Sequence, residues 1–356
     1  MKLKEKIPKN IDKLLKDLSQ DSLFGEIYLE STEIFKLVLE PDRIDEINWG
    51  EEEGIAFRKI DEKFKINFAY ASNLENIAVL EDLVKTGLKE ESLRHEKEKL
   101  FISESRKLKN YELYLRERLE FLEELKKKVK KVGNIKHYKI GLSEIKKEIL
   151  ILNSEGKFIE DERFYSKLVA IVIAEKDGVL ERGYEVFGGA LPFEKIKELP
   201  EVLEIPEKAS DLALIMLSAK KAPAGVMPVV LSGTAGGTMI HEAVGHGLEA
   251  DHAEEGLSIY SGKLGEKVAS ELITVIDDAT LPFLYGFYKF DDEGTPAQKV
   301  VLIEKGILKN FLYDKYFSLK YGKKSNGHGR RQDYRHVPIP RMANTYIEKA
   351  TIDLKK

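Results

Sequence analysis

The sequence predicts an α+β fold: an N-terminal antiparallel sheet with helices, then a C-terminal α+β domain that carries one distorted helix. Three observations lead there. Apolar and polar residues alternate in short runs over 24–72 and again over 135–187, with Gly, Pro and Asp between the runs. Two stretches, Leu74 to Lys89 and Leu108 to Lys131, repeat apolar residues every three or four positions. Finally, GTAGGTMIHEAVGHGLEADH at 233–252 reads as a helix interrupted by glycines at 245 and 247.

Taken in order, the first run breaks into GEIYLE, EIFKLVLE, RIDEINW, GIAFRK and FKINFAYA, with turns expected at Pro41-Asp42, at 52–54 and at Asp61-Glu62. This predicts a meander with one polar face. The second helix sets Leu115, Leu119, Leu122 and Val129 on one stripe and pairs Glu123 with Lys127 and Glu124 with Lys128. Its basic end, Lys126 to Lys131, complements the helix dipole, and Gly133 closes it. Five further strand segments follow, with hairpin turns at 154–156 and 176–178. Pro200 to Pro206 reads as a linker or surface loop, and the domain boundary is placed there, between a sheet-and-helix domain, 1–200, and a metal-site domain, 201–356. The second domain is expected to hold a buried helix from Ala209, a short strand from Met227 to Ser232, the glycine-rich helix, and strands near 272–277, 299–303 and 307–313.

Composition narrows the function classes. The chain has 356 residues, 42% of them hydrophobic, which suits a folded globular protein. Its 58 basic and 62 acidic side chains leave a net charge of −4, so neither nucleic acid nor a membrane is an expected partner. There is no cysteine, which excludes disulfides and thiolate chemistry supplied by these residues. The basic N-terminus, MKLKEKIPKN, lacks an apolar stretch behind it, and no apolar run is long enough to span a bilayer. The expected location is the cytoplasm.

Chemistry concentrates at HEAVGH, residues 241–246, in a stretch that holds three of the seven histidines. Two imidazoles and an adjacent carboxylate suit hydrolytic metal chemistry, which needs neutral nitrogen ligands, an open position for water and a base. The spacing is HExxxH. Five residues on a regular helix turn the second histidine roughly 140° from the first, so one ion cannot reach both. A widened or prematurely ended turn at Gly245 and Gly247 would swing His246 back beside His241. The other reading makes both histidines core or capping residues of a closely packed helix. Glu249, Asp251 and His252 are either partners that orient the imidazoles or groups that solvate the helix end. GTAGGT lacks the GK[ST] ending of a phosphate-binding loop. Downstream, Arg330 and Arg331 either clamp a substrate carboxylate or form a basic surface loop, with His328 or His336 as further polar contacts.

The segments APAGVMPVVL (222–231), HEAVGHGLEAD (241–251), SGKLGEKVAS (261–270), DDEGTPAQKVVLIEKGIL (291–308) and NGHGRRQDYRHVPIPRMANTY (326–346) are familiar, as are ILNSEGKFIEDER and RGYEVFGG between 150 and 189. On them the chain resembles the TldD/PmbA family of zinc-dependent peptidases, in its TldD-like branch with HExxxH. The resemblance implies Zn²⁺ on His241 and His246, with Glu242 as general base. It also implies an unfolded or short peptide as substrate, and a homo- or heterodimer with a paralogous subunit that lacks the motif. The family's third metal ligand is a cysteine C-terminal to the NTY region, a residue type absent here. The expectation is therefore a chain truncated before that segment or a site completed differently. The alternative function is a catalytically silent peptide-binding or assembly subunit.

Overall fold

The computed structural model describes residues 3–7, 10–72 and 108–349. The helix expected over Leu74 to Lys89 lies outside them. Helix α1 (Ile11–Ser19) leads into a six-stranded sheet of β1 (Phe24–Leu39), β2 (Ile44–Ile60), β3 (Ile66–Ser72), β4 (Ile135–Asn153), β5 (Phe158–Lys176) and β6 (Val179–Gly189). The order is β3-β2-β1-β4-β5-β6, and every neighbouring pair is antiparallel. Helix α2 (Leu108–Lys126) lies between β3 and β4 in the chain. The α+β class stands, with antiparallel sheets and helices in both halves.

The strands are longer than the sequence suggested. GEIYLE and EIFKLVLE are one strand, as are the segments HYKIGLSEI and KKEILILN in β4 and KFIEDERF and KLVAIVIAE in β5. The turn expected at 52–54 lies inside β2. Polar residues in these strand centres are held by partners remote in sequence, so they do not mark turns. Glu30 pairs with Lys147 at 3.0 Å. Glu52 pairs with Arg335, and Gly54 leaves room for the Tyr334 ring, which a Cβ would meet at 2.2 Å.

Alternation assigns the two sheet faces. Ile27, Leu29, Phe35, Leu37 and Leu39 of β1 point to one side. Helix α1 covers one end of that face through Leu14 and Leu18, and α2 covers the other through Leu122 and Leu125. Three more helices, α3 (Phe193–Ile196), α4 (Pro200–Leu203) and α5 (Ile205–Met216), complete that layer. The expected linker at 200–206 is thus helical. Pro200 and Pro206 occupy the first helical turns, where a missing N–H costs nothing. Helix α5 packs on β5 and β6, close enough that a Cβ at Gly183 would meet Ala209 O at 1.8 Å. Because α2 ends at Lys126, the ion pairs at its C-terminal end fall at i,i+3, Glu123 with Lys126 and Glu124 with Lys127, in place of the i,i+4 pairs expected there.

The opposite face carries Glu26, Tyr28, Glu30, Arg58 and Arg163, and the C-terminal part of the chain covers it. Arg58 joins Glu26 (2.9 Å) to Glu293 (2.6 Å), and Arg163 joins Asp161 (2.8 Å) to Asp292 (2.7 Å). Arg331 reaches Glu26 from the C-terminal side. This buried ionic layer fastens the two halves together.

Beyond α5 the residues 227–232 form no strand; Val229 and Val230 face solvent, and Pro228 has no N–H to give a ladder. Helix α6 (Gly233–Ile240) and α7 (Ala250–Ala253) flank the irregular turn described below. They pack on a sheet of β7 (Val275–Asp278), β8 (Lys299–Glu304), β9 (Ile307–Leu308) and β12 (Thr345–Ile347), in the order β12-β7-β8-β9. Helix α8 (Lys315–Lys320) and the β10–β11 pair (Gly329–Arg330, Ile339–Pro340) complete the C-terminal part. Its core is Leu248, Val275, Leu302, Leu308, Phe311 and Leu312. Among the described residues no helix is long and apolar enough to cross a membrane.

Candidate metal centre

Helix α6 starts at Ser232, whose hydroxyl accepts the Ala235 amide at 3.3 Å. It is regular as far as Ile240 and then widens. His241–Gly245 form a π-turn, in which the His246 amide donates to the His241 carbonyl. His246–Leu248 tighten into a single 3₁₀ turn, and Glu249 leaves the helix in extended conformation. The extra residue in HExxxH is absorbed by this i→i+5 turn, which returns the fifth residue to the side of the first.

The two imidazoles therefore meet. Their ring centroids are 4.7 Å apart and the planes cross at 83°. Ligand atoms of His241, Glu242 and His246 all lie within 4.8 Å of one another. His241 and Glu242 are exposed and His246 is half-buried, so the cluster opens to solvent on one side.

The turn has this shape because of what packs beneath it. Gly245 is buried, and a Cβ there would sit 1.9 Å from Met342 Sδ. At Gly247 a Cβ would crowd the Tyr260 ring at 3.0 Å and Ser258 Oγ at 3.1 Å. Ser258 Oγ also donates to the Gly247 carbonyl at 2.6 Å. Each glycine is thus a point of close approach, which the sequence pattern indicated without showing the partner.

Behind His246 lies a fully buried carboxylate. Glu249 Oε2 is 2.9 Å from His246 Nδ1, and Oε1 accepts the Met342 amide at 3.2 Å. Arg341 Nη1 stands 3.8 Å from Oε2. Burial pushes the Glu249 carboxyl up, against the opposing pull of His246 and Arg341. His252 Nδ1 lies 2.9 Å from the His246 carbonyl oxygen, and Glu249, Asp251 and His252 make a second tight group of potential ligands.

The downstream polar cluster sits elsewhere. Arg331 is buried against Glu26, and Arg330 lies over the Tyr288 ring and beside Asp292 at 3.4 Å. Both arginines are therefore parts of the ionic layer, neither a carboxylate clamp nor a loose basic loop. His336 contacts Asp333 at 2.8 Å. His328 is fully buried, with Nε2 2.9 Å from Asp277 Oδ1 and Nδ1 2.9 Å from the Asn326 carbonyl oxygen. Asp277 in turn accepts the Ala343 amide at 3.0 Å. Sequence reasoning had no means of finding this brace, because Asp277, His328 and Ala343 come together only in the folded chain.

The donor set suits a borderline divalent ion: two imidazoles converge, a carboxylate stands beside them, and one side is open. His246 already commits Nδ1 to Glu249, which leaves Nε2 as its free nitrogen.

The known relatives of this chain are metallopeptidases. Domain models described as PmbA/TldA metallopeptidase match in three parts, domain 1 at residues 25–90, the central domain at 109–217 and the C-terminal domain at 224–356. A Metalloprotease TldD homolog of Haemophilus influenzae is 40% identical over 211 residues, which cover 58% of this chain and 44% of that protein. Its counterpart in Buchnera aphidicola subsp. Schizaphis graminum is 32% identical over 339 residues, 91% of this chain and 70% of the relative. The crystal structure of TldE from Thermococcus kodakarensis has the same fold, with a TM-score of 0.69 at 20% identity over 97% of this chain and 78% of that one. The chain belongs to the PmbA/TldD metallopeptidase family. Its match spans less than half the length of the Haemophilus relative.

Proposed function

We propose that the chain hydrolyses peptide bonds in unfolded or short peptides at a zinc site formed by His241 and His246, with Glu242 as general base. The observation that carries this reading is the π-turn, which brings two imidazoles and an exposed carboxylate within 4.8 Å of one another. A divalent ion held there supplies Lewis-acid polarisation of the scissile carbonyl and of water. His241 and His246 each offer one neutral ring nitrogen to it. Glu242 accepts the attacking water's proton and delivers it to the leaving amine. Exposure of Glu242 lets an extended peptide reach the carboxylate from solvent.

We assign the working assembly to a dimer, homomeric or with a paralogue that lacks HExxxH. The test of the chemistry is Glu242→Gln. The variant retains zinc to the same stoichiometry, while cleavage of an unfolded peptide falls by about 10²–10⁴-fold, the usual contribution of a general base. Undiminished cleavage removes Glu242 from the mechanism. A wild-type chain that binds peptide and zinc without cutting supports the silent-subunit alternative.

A further inference from the structure

We infer that Glu249 is the positioning residue of the metal centre: its buried carboxylate fixes His246 as the Nδ1–H tautomer and so presents Nε2 to the ion. The inference rests on His246 as a ligand and adds what makes it one. Neutral imidazole has one N–H and one lone pair, and its second hydrogen bond decides which nitrogen is which. The atom facing Nδ1 at 2.9 Å is a carboxylate oxygen with no solvent exposure. Oε1 already accepts the Met342 N–H, and Arg341 and His252 stand beside Oε2, so the carboxylate accepts from Nδ1 and the lone pair stays on Nε2. Carboxylate–histidine pairs of this kind orient metal ligands in general.

The carboxylate cannot be replaced by its amide. Oε1 receives the Met342 N–H at 3.2 Å, and Oε2 faces His246 Nδ1, which in the Nδ1–H tautomer is a second donor. Arg341, 3.8 Å from Oε2, and His252, 3.6 Å from it, also present cationic or donor groups. Glutamine has one acceptor oxygen. If that oxygen serves Met342, its NH₂ faces Nδ1, reverses the tautomer and places a hydrogen on the nitrogen meant for the ion.

Glu249 is itself held from behind, and the NGHGRRQDYRHVPIPRMANTY segment acquires a role. Met342 fills the space over Gly245 and donates to Glu249; the next residue, Ala343, donates to Asp277; and Asp277 is braced by His328. The strap from Arg341 to Ala343 thus ties the end of the π-turn to β7.

Two measurements test the inference on the full chain, one without metal. Nitrogen-15 NMR of metal-free wild-type protein, at a pH above the imidazole range, is expected to show His246 as Nδ1–H. Glu249→Gln is expected to shift it to Nε2–H and to weaken zinc binding about 10–100-fold in competition with a chelator, with its circular dichroism spectrum kept. An Nε2–H tautomer in the wild-type protein overturns the inference even if the variant does not fold. Equal zinc affinity in the wild type and Glu249→Gln, with His246 unchanged, overturns the role of Glu249 and leaves the metal reading intact. Zinc affinity unaffected by His241→Ala and His246→Ala overturns both.

Discussion

At the scale of single residues, Gly245 shows how little local sequence carries the site. Its place beside His246 pointed to a distorted helix, and the π-turn is there. What the sequence could not supply is Met342, which arrives from the far end of the domain to occupy the place of a side chain. Gly245→Ala is expected to destabilise the protein by about 1–3 kcal/mol through overpacking. Because the atom it strikes belongs to a flexible side chain, Met342→Ala in the same molecule should recover much of that loss. A double-mutant cycle in urea checks this, and additive effects would contradict the contact. HExxxH was legible as a constellation, whereas the partners of its members were not. Arg330 and Arg331 show the reverse error, since two adjacent exposed-looking cations are consumed by buried carboxylates.

At the scale of elements, the alternating pattern gave the sheet but cut it into pieces that were too short. Charged residues in mid-strand resemble turns when their partners are unknown, and in β1, β2 and β5 those partners lie across the sheet or in the C-terminal part. The hairpin turns at 154–156 and 176–178 were legible because Gly156 and Gly178 take positive φ, +79° and +81°, which glycine accepts without strain. Prolines misled in the opposite direction, because Pro200 and Pro206 begin helices. The docking of α5 on β6 depends on Gly183. Gly183→Ala sets a methyl group against the backbone of α5, which cannot yield as a side chain can, and is expected to cost about 1–3 kcal/mol. Thermal unfolding reads the effect, and an unchanged midpoint would contradict the close packing.

At the scale of the whole molecule, the C-terminal part is set on the sheet through charge. Arg58 lies between Glu26 and Glu293 with no solvent exposure, so Arg58→Met leaves the buried Glu293 carboxylate without its ion-pair partner and Glu26 with Arg331 alone, and should destabilise by about 3–5 kcal/mol. The same layer predicts a pH dependence with two arms. Burial and the neighbouring Glu293 carboxylate push Asp291 up to about 8, although three backbone amides donate to it. A carboxyl raised on folding gives stability that is full below its unfolded value near about 4 and is lost as pH rises through the folded value. Asp292 is buried as well, but Arg163 and Arg330 hold it well below the usual carboxylate range. Its contribution is present above about 4 and is lost as pH falls through the folded value. Urea midpoints are therefore expected to decline from mildly acidic pH towards pH 9 and also in strong acid; a midpoint that rises steadily to pH 9 would contradict the assignment of Asp291.

The proposed chemistry requires one divalent ion between His241 and His246. An anomalous difference map at the zinc edge, from crystals of the chain grown with zinc, tests it most directly. A single strong peak is expected about 2.0–2.1 Å from one nitrogen of each imidazole, on the Nε2 side of His246 and beside Glu242. A peak at Glu249, Asp251 and His252 instead, with none at the π-turn, would contradict it.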